Sequence, residues 1–300
     1  MHNRILFALG ACAFLSLSFF ACDKREIPFP KPYPDSVATK FLPGLVSIEG
    51  LDFNAAFSPN GQSFYFSRSQ NGQWDIFISQ FTNGSWSKPV PASFCDEKYS
   101  EADPAFSPDG KLFFISNQPR QGKLMRKDFD IWYIEPKEGG TWSEATNLSE
   151  VNSDSSEYYI YFAANRNLYF GSSRPGGYGS EDIYVSRFVN GAYTLPRNLG
   201  PTINSPASEH DPCVSDDERF IIFKSENRDD GFGQADLYFS KIDEEQNWTP
   251  AQNLGARINT DGYEYCPYFT PDGRFFFFSS QNDIMWMDRK VLEEIVNAKD

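Results

Sequence analysis

The sequence contains few of the residues that build metal and hydrolase sites. Among 300 residues there are two histidines, His2 and His210, and five cysteines. Zinc sites draw on several His or Cys ligands, so a histidine-rich metal site is excluded, and we predict no metal and no cofactor. A serine-hydrolase triad is not indicated either, because no G-x-S-x-G motif accompanies His210.

Basic residues are also in deficit. The chain has 27 Lys and Arg against 41 Asp and Glu, which gives a formal net charge of −14. Removing residues 1–21, whose only charged side chain is Arg4, leaves −15. A nucleic-acid-binding surface needs a basic patch, so nucleic acid is excluded as an expected partner.

The longest apolar run covers residues 5–21, and charged residues follow it at once. Such a run is short for a membrane span and is typical of a cleaved targeting segment. Cys22, preceded by Ala21, resembles the cysteine that is lipidated in bacterial lipoproteins. We expect a signal peptide over residues 1–21 and an outer-membrane lipoprotein, exported to the periplasmic or the cell-surface face and held in the membrane by its lipid only. A plain secretory signal is the alternative.

Three cysteines remain after cleavage at Cys22, namely Cys95, Cys213 and Cys266. An odd number leaves at least one free thiol. We expect no structural disulfide, because Cys213 and Cys266 belong to different copies of an internal repeat.

That repeat is a decapeptide with a carboxylate at its first position. Its clearest copy is E-A-D-P-A-F-S-P-D-G at residues 101–110. The five copies begin at Asp52, Glu101, Glu157, Glu209 and Glu264, which are 49, 56, 52 and 55 residues apart. Regular self-similarity at such a period indicates a repeat architecture.

Each repeat predicts four short strands. The decapeptide gives a first strand and a tight turn, in which Pro, Asn or Asp, and Gly suit successive positions. Two copies, at residues 163–166 and 215–218, lack the Pro and Gly, so looser turns are expected there. An apolar second strand follows, then a third strand that begins with Asp, then a fourth strand that carries Trp86, Trp142, Tyr193 or Trp248.

The S-P-D-G turns and the segment S-S-R-P-G-G-Y-G-S-E-D-I-Y at residues 172–184 resemble the WD40-like repeats of TolB-type β-propellers. The resemblance covers about residues 40–288 and implies an all-β ring of four-stranded antiparallel blades. It implies little about function, because propellers host binding and catalysis alike.

Five blades are predicted, starting near residues 52, 101, 157, 209 and 264. The fifth repeat lacks a fourth strand, and residues 36–42 can supply it and close the ring. Six blades, as in the TolB family's own propeller, are the alternative. The propeller thus covers residues 36–288, residues 22–35 form a proline-rich tether, and residues 289–300 form a short amphipathic helix.

Three sets of residues are candidates for a site at the rim of the central channel. The first-position carboxylates could form an acidic ring that attracts basic groups, or could accept backbone hydrogen bonds within the blades. Asp103 and Asp211 lie two residues further on and have no acidic counterparts in the other copies. His210 lies between Glu209 and Asp211, and a polar channel-lining role is favoured over catalysis. The acidic set is Asp52, Glu101, Glu157, Glu209 and Glu264.

No catalytic set is recognisable, so the sequence favours a non-catalytic binding module whose partner is a protein or an envelope glycan. A glycan-active hydrolase that uses two channel carboxylates is the alternative, and it requires one of them to have a raised pKa. A scaffold without a discrete ligand is the third hypothesis.

Overall fold

The computed structural model describes residues 27–120 and 128–299. Within these residues the chain forms five four-stranded antiparallel blades around a channel, followed by one helix. The predicted five-bladed propeller is confirmed. The innermost strands are Leu51–Phe57, Glu101–Phe106, Glu157–Phe162, Ser208–Val214 and Glu264–Phe269. The second strands are Ser63–Gln70, Leu112–Ser116, Leu168–Ser172, Phe220–Glu226 and Phe275–Ser280. The third strands are Gln73–Thr82, Asp130–Ile134, Asp182–Ser186, Ala235–Lys241 and Asp283–Asp288.

The fourth strands are shorter than the sequence predicts and do not carry the expected aromatic residues. They are Val90–Pro91, Thr146–Asn147, Arg197–Asn198, Gln252–Asn253 and, from the N-terminal side, Thr39–Lys40. The aromatic residues lie in hairpin extensions that precede them, where Trp86 pairs with Phe81 and Tyr193 with Phe188. Short strands in these extensions are Ser85–Trp86, Phe188–Val189 and Ala192–Tyr193, and a 3-10 turn covers Glu138–Gly140.

The turns that lack Pro and Gly are as tight as the others, so the prediction of looser turns is wrong. Arg166 and Glu218 adopt positive φ angles of 73° and 58° in place of glycine. Each closes its turn with the same hydrogen bond as the S-P-D-G copies, donated to Ala163 and Ser215 respectively. Interactions with neighbouring side chains offset the strain of a positive φ, because Glu218 accepts hydrogen bonds from three side chains. These donors are Asn165, Asn167 and Tyr169.

The ring closes where the sequence predicts. Thr39 and Lys40 pair with Trp286 and Met285 of the fifth blade. Phe41 follows and is fully buried, with its ring 4.8–6.0 Å from those of four aromatic residues. These are Phe57, Phe64, Phe277 and Trp286.

The proline-rich segment differs from the tether that the sequence predicts. Ile27 is 4% exposed and Phe29 is 7% exposed, and both belong to the same hydrophobic cluster as Phe41. The ring of Phe29 lies 4.5 Å from that of Phe275. Alternating prolines keep this segment extended, so that the apolar side chains between them contact the core of the propeller. Residues 22–26 and the predicted signal peptide lie outside the described residues.

The C-terminal helix covers Arg289–Asn297 and begins at Asp288, whose side chain accepts a hydrogen bond from the Lys290 amide. Its buried residues are those of the predicted apolar face, Val291, Leu292, Ile295 and Val296. They pack on the outer side of the blades with Phe276 and Met287. In the described part of the chain no helix is long and apolar enough to cross a membrane.

We predict that Phe41→Ala lowers the free energy of unfolding by about 3–5 kcal/mol, because it leaves a cavity at the seam between the first and last blades. The matched control is Phe232→Ala, which removes a ring that is 51% exposed and should change stability by less than about 0.5 kcal/mol. Urea denaturation followed by circular dichroism measures both. Equal losses in the two variants would contradict a role for Phe41 in closing the ring.

Candidate functional site

A cavity of about 490 Å³ opens at one end of the channel. It lies at the end where the innermost strands begin. The lining residues are Leu51, Phe53, Trp74, Asp103, Tyr158, His210, Asp211, Gln234, Gly262, Tyr263, Tyr265, Cys266, Gln281 and Asn282. We call it the channel cavity. Deeper in the channel, Tyr159 reaches from the third blade to the fifth, where its hydroxyl donates to the Pro267 carbonyl over 2.5 Å.

The first-position carboxylates do not line the channel cavity; they are buried within the blades. In the third and fourth blades, Glu157 and Glu209 accept hydrogen bonds from the amide and hydroxyl of the serine four residues earlier. Each also accepts from a serine of the second strand and from an arginine, Arg174 or Arg228, at 3.0 Å. Glu264 makes the same contacts without an arginine, through Thr260 and Ser280. This is the backbone-bonding arrangement that the sequence offered as the alternative to an acidic rim.

In the first blade the second-strand partner of the first-position carboxylate is an arginine instead of a serine. Arg68 occupies the second-strand position opposite Asp52, where the other blades have serine. Its Nε lies 2.5 Å from Asp52 Oδ1. In the second blade Arg120 pairs instead with Asp130. Arginine side chains therefore neutralise buried carboxylates in four blades.

Glu101 is the exception among the five. It is 2% exposed, and among the described residues its Oε2 has no hydrogen-bond partner. Ser116 donates to Oε1 over a long 3.4 Å. Burial and, secondly, the charge of Asp75 raise the pKa of Glu101 to about 8. The second blade therefore holds a carboxyl group that favours its neutral form.

The third residue of each repeat, counted from the first-position carboxylate, has a positive φ angle and lies where the register of the innermost strand shifts. These residues are Asn54, Asp103, Tyr159, Asp211 and Cys266, with φ between 40° and 61°. Such a β-bulge turns the backbone N–H out of its own ladder. In four blades this N–H donates to the preceding blade: Asn54 to Ser279, Asp103 to Ser67, Tyr159 to Asp103, and Cys266 to Asp211.

Asp103 and Asp211, predicted as site residues, are brought to the channel cavity by these bulges. Asp103 accepts from Asn54 Nδ2 and the Tyr159 amide, and Asp211 accepts from the Cys266 amide while its Oδ1 lies 2.5 Å from His210 Nδ1. Burial and the charge of Asp211 raise the pKa of Asp103 to about 7. Burial also acts on Asp211, but the charge and hydrogen bond of His210 outweigh it and lower the pKa of Asp211.

His210 takes part in a network that extends beyond the predicted residues. Its Nε2 contacts Lys224 Nζ and lies 3.3 Å from Glu181 Oε2. Lys224 is fully buried and pairs with Glu226, which also accepts from the Tyr263 hydroxyl. Sequence reasoning missed Lys224, because it follows F-I-I-F in a strand identified only as apolar. A charged residue ending such a run was the available signal.

Five aromatic residues form a large part of the remaining wall, namely Phe53, Trp74, Tyr158, Tyr263 and Tyr265. Trp74 and Phe53 lie 5.8 Å apart, Phe53 and Tyr265 6.0 Å apart, and Tyr265 and Tyr263 5.4 Å apart. Trp132 and Trp286 are buried, as expected for core residues. Among the described residues no group of three His, Cys, Asp or Glu is arranged to hold a metal ion.

Comparisons with known proteins identify the fold. No family model matches the chain, and no curated protein matches its sequence. An endo-arabinase from Bacteroides thetaiotaomicron shares the fold with a TM-score of 0.53 at 13% identity, over 81% of this chain and 95% of that chain. A structure named glycoside hydrolase has a TM-score of 0.54 at 11% identity, over 85% and 91%. TolB from Acinetobacter baumannii has a TM-score of 0.49 at 15% identity, over 81% of this chain but 56% of TolB. This chain thus spans little more than half of the TolB length, and at these identities the likeness shows the fold alone.

The raised pKa of Glu101 predicts that the stability of the protein falls as the pH rises. This pKa is raised in the folded state, so the folded protein holds a proton that the unfolded chain releases above about pH 4.5. Stability therefore falls as pH rises from about 4.5 to about 8. Glu101→Gln should remove this component and raise the free energy of unfolding at pH 9 by about 2–5 kcal/mol.

Glu264→Gln is the matched control, because both oxygens of Glu264 accept hydrogen bonds and an amide keeps only one acceptor oxygen. This variant should lose about 1–3 kcal/mol at neutral pH. Urea denaturation at pH 5, 7 and 9 compares the two. A loss of stability in Glu101→Gln at pH 9 would show that Glu101 is charged and partnered.

Proposed function

We propose that this chain is an exported, lipid-anchored β-propeller that binds a protein or cell-envelope component at the channel cavity and does not transform it. The observation that carries the proposal is that the aromatic side chains of the cavity wall face an open cavity, whereas the acidic groups beneath them already have hydrogen-bond partners. The wall offers aromatic rings, which are favourable binding surfaces. The acidic groups beneath it are already engaged in bonds that hold the blades together.

The engagement of these groups argues against catalysis. A general acid or base must reach the substrate atom with which it exchanges a proton. Both oxygens of Asp103 accept hydrogen bonds from neighbouring blades, and both oxygens of Asp211 are bonded as well. Both ring nitrogens of His210 also have partners. A reaction at this site would have to break contacts on which the bulges depend.

One observation favours a second candidate, a glycan-active hydrolase. The pKa of Asp103 is raised to about 7 by burial and by the charge of Asp211, whereas His210 lowers the pKa of Asp211 against the effect of burial. Opposed pKa shifts in neighbouring carboxyl groups are typical of acid and base pairs. Two proteins of similar fold carry the names endo-arabinase and glycoside hydrolase. Release of reducing ends from arabinan, lost in Asp103→Asn, would establish this candidate in place of the first.

The binding function predicts that a ligand contacts the cavity mouth in the cells that produce the protein. Gln234 lines the cavity and is exposed, so a photo-crosslinking p-benzoylphenylalanine at this position should form adducts on irradiation. The control position is Leu195, which is 82% exposed and does not line the cavity. Adducts are separated by gel electrophoresis and identified by mass spectrometry. Equal or no adduct formation at the two positions would contradict binding at the cavity.

The lipid anchor is a separate part of the proposal. Cys22 supplies the thiol that a lipoprotein pathway would modify, and it lies outside the described residues. We predict that Cys22→Ala moves the protein from the membrane fraction to the soluble fraction, as measured by fractionation and immunoblotting. Cys95→Ala serves as the control, because Cys95 lies within the propeller. Retention of Cys22→Ala in the membrane would refute the anchor.

A further inference from the structure

The fold places an arginine between a carboxylate and two aromatic rings in three blades. Arg68 pairs with Asp52, and its guanidinium lies 5.1 and 4.8 Å from the ring centres of Phe66 and Phe77. Arg174 and Arg228 pair with carboxylates at 3.0 Å and lie 4.8–5.6 Å from two ring centres each. Guanidinium groups are stabilised by both kinds of contact.

The channel cavity contains the same combination without an arginine. Phe53, Trp74 and Tyr265 form one continuous aromatic wall. Asp103 and Asp211 line the cavity beneath them. The cavity is therefore similar in chemistry to the three internal arginine sites, but it is open to an outside group.

The charged groups around the cavity leave an acidic excess. Four carboxyl groups, those of Asp103, Glu181, Asp211 and Glu226, stand against Lys224 and His210. Burial raises the pKa of Tyr265, and the charges of Asp211 and Asp103 raise it further. The same two carboxylates, after burial, raise the pKa of the Cys266 thiol. The groups that line the cavity thus experience a negative potential, which favours a cation.

We propose that the channel cavity takes an arginine side chain presented by a partner polypeptide. The guanidinium lies against the aromatic wall and pairs electrostatically with Asp103 and Asp211. Exposed amides at the mouth, those of Gln234, Gln281 and Asn282, are suited to hydrogen bonds with the partner's backbone. The net charge of −14 attracts basic partners over longer distances. This inference rests on the proposed binding function and specifies its partner.

The test uses two peptides that differ in charge but hardly in shape, acetyl-Gly-Arg-Gly-amide and acetyl-Gly-citrulline-Gly-amide. Titration into the full chain, followed by NMR chemical shifts, gives both dissociation constants. We expect the arginine peptide to bind about 10-fold more tightly, as a desolvated cation–aromatic contact allows, and to shift the indole signal of Trp74.

Variants connect the preference to the cavity. Asp103→Asn keeps the side-chain shape but leaves one acceptor oxygen for the two hydrogen bonds that Asp103 accepts, so circular dichroism first checks that the variant is folded. It should reduce the arginine preference to less than about 3-fold, because the cation loses a charge partner. Trp74→Ala should weaken arginine-peptide binding about 10-fold. Tyr178→Ala removes an aromatic ring that is 50% exposed and outside the lining, and it should leave binding unchanged.

Each alternative outcome overturns the inference. Equal binding of the two peptides would identify a site for neutral groups. Binding of arabinan in place of either peptide would identify a glycan site, and the absence of any binding would exclude an arginine pocket. Crosslinked adducts at Gln234 together with no arginine preference would leave the proposed function standing and remove only this inference.

Discussion

The structure depends on the bulge at the third residue of each repeat, counted from the first-position carboxylate. A positive φ at this position turns one backbone N–H away from its own blade and toward the preceding one, as Asn54 and Ser279 illustrate. A buried amide without a partner is costly, and at four of the five blade junctions an acceptor of the preceding blade meets this N–H. In the first and fifth blades the acceptors are the second-strand serines Ser67 and Ser279.

This requirement explains the two aspartates that stand out in the sequence. Ile115 and Lys224 occupy the positions that correspond to Ser67 and Ser279 in the second and fourth blades. Neither side chain can accept a hydrogen bond. In these blades the carboxylates of Asp103 and Asp211 accept the N–H of the next bulge instead. The other repeats have no acidic residue at this position, which made the two aspartates candidate site residues. Their presence therefore has a structural origin as well.

The sequence was sufficient for the fold, because turn residues, apolar runs and repeat spacing are local signals. It identified Asp103, His210 and Asp211, which do line the channel cavity, but it could not distinguish them from Glu101 and Glu209, which lie one or two residues away and are buried in the blades. That distinction depends on the bulge, which a strand pattern of period two does not reveal. Contacts between distant residues, such as Glu226 with Tyr263, were also beyond reach. The close approach of Gly171 to His210 is another contact that the sequence does not reveal. A Cβ at position 171 would lie 2.6 Å from that of His210.

Closure of the ring joins two segments that are far apart in the sequence. The fourth strand of the last blade, Thr39–Lys40, pairs with Asp283–Asp288 near the other end of the chain. Contacts between such distant residues slow folding, and this pair cannot form until the fifth blade has been synthesised. Phe41 and Phe57 meet across this seam. A chain without the fifth blade would lack the rings of Phe277 and Trp286 that cover Phe41 in the closed propeller.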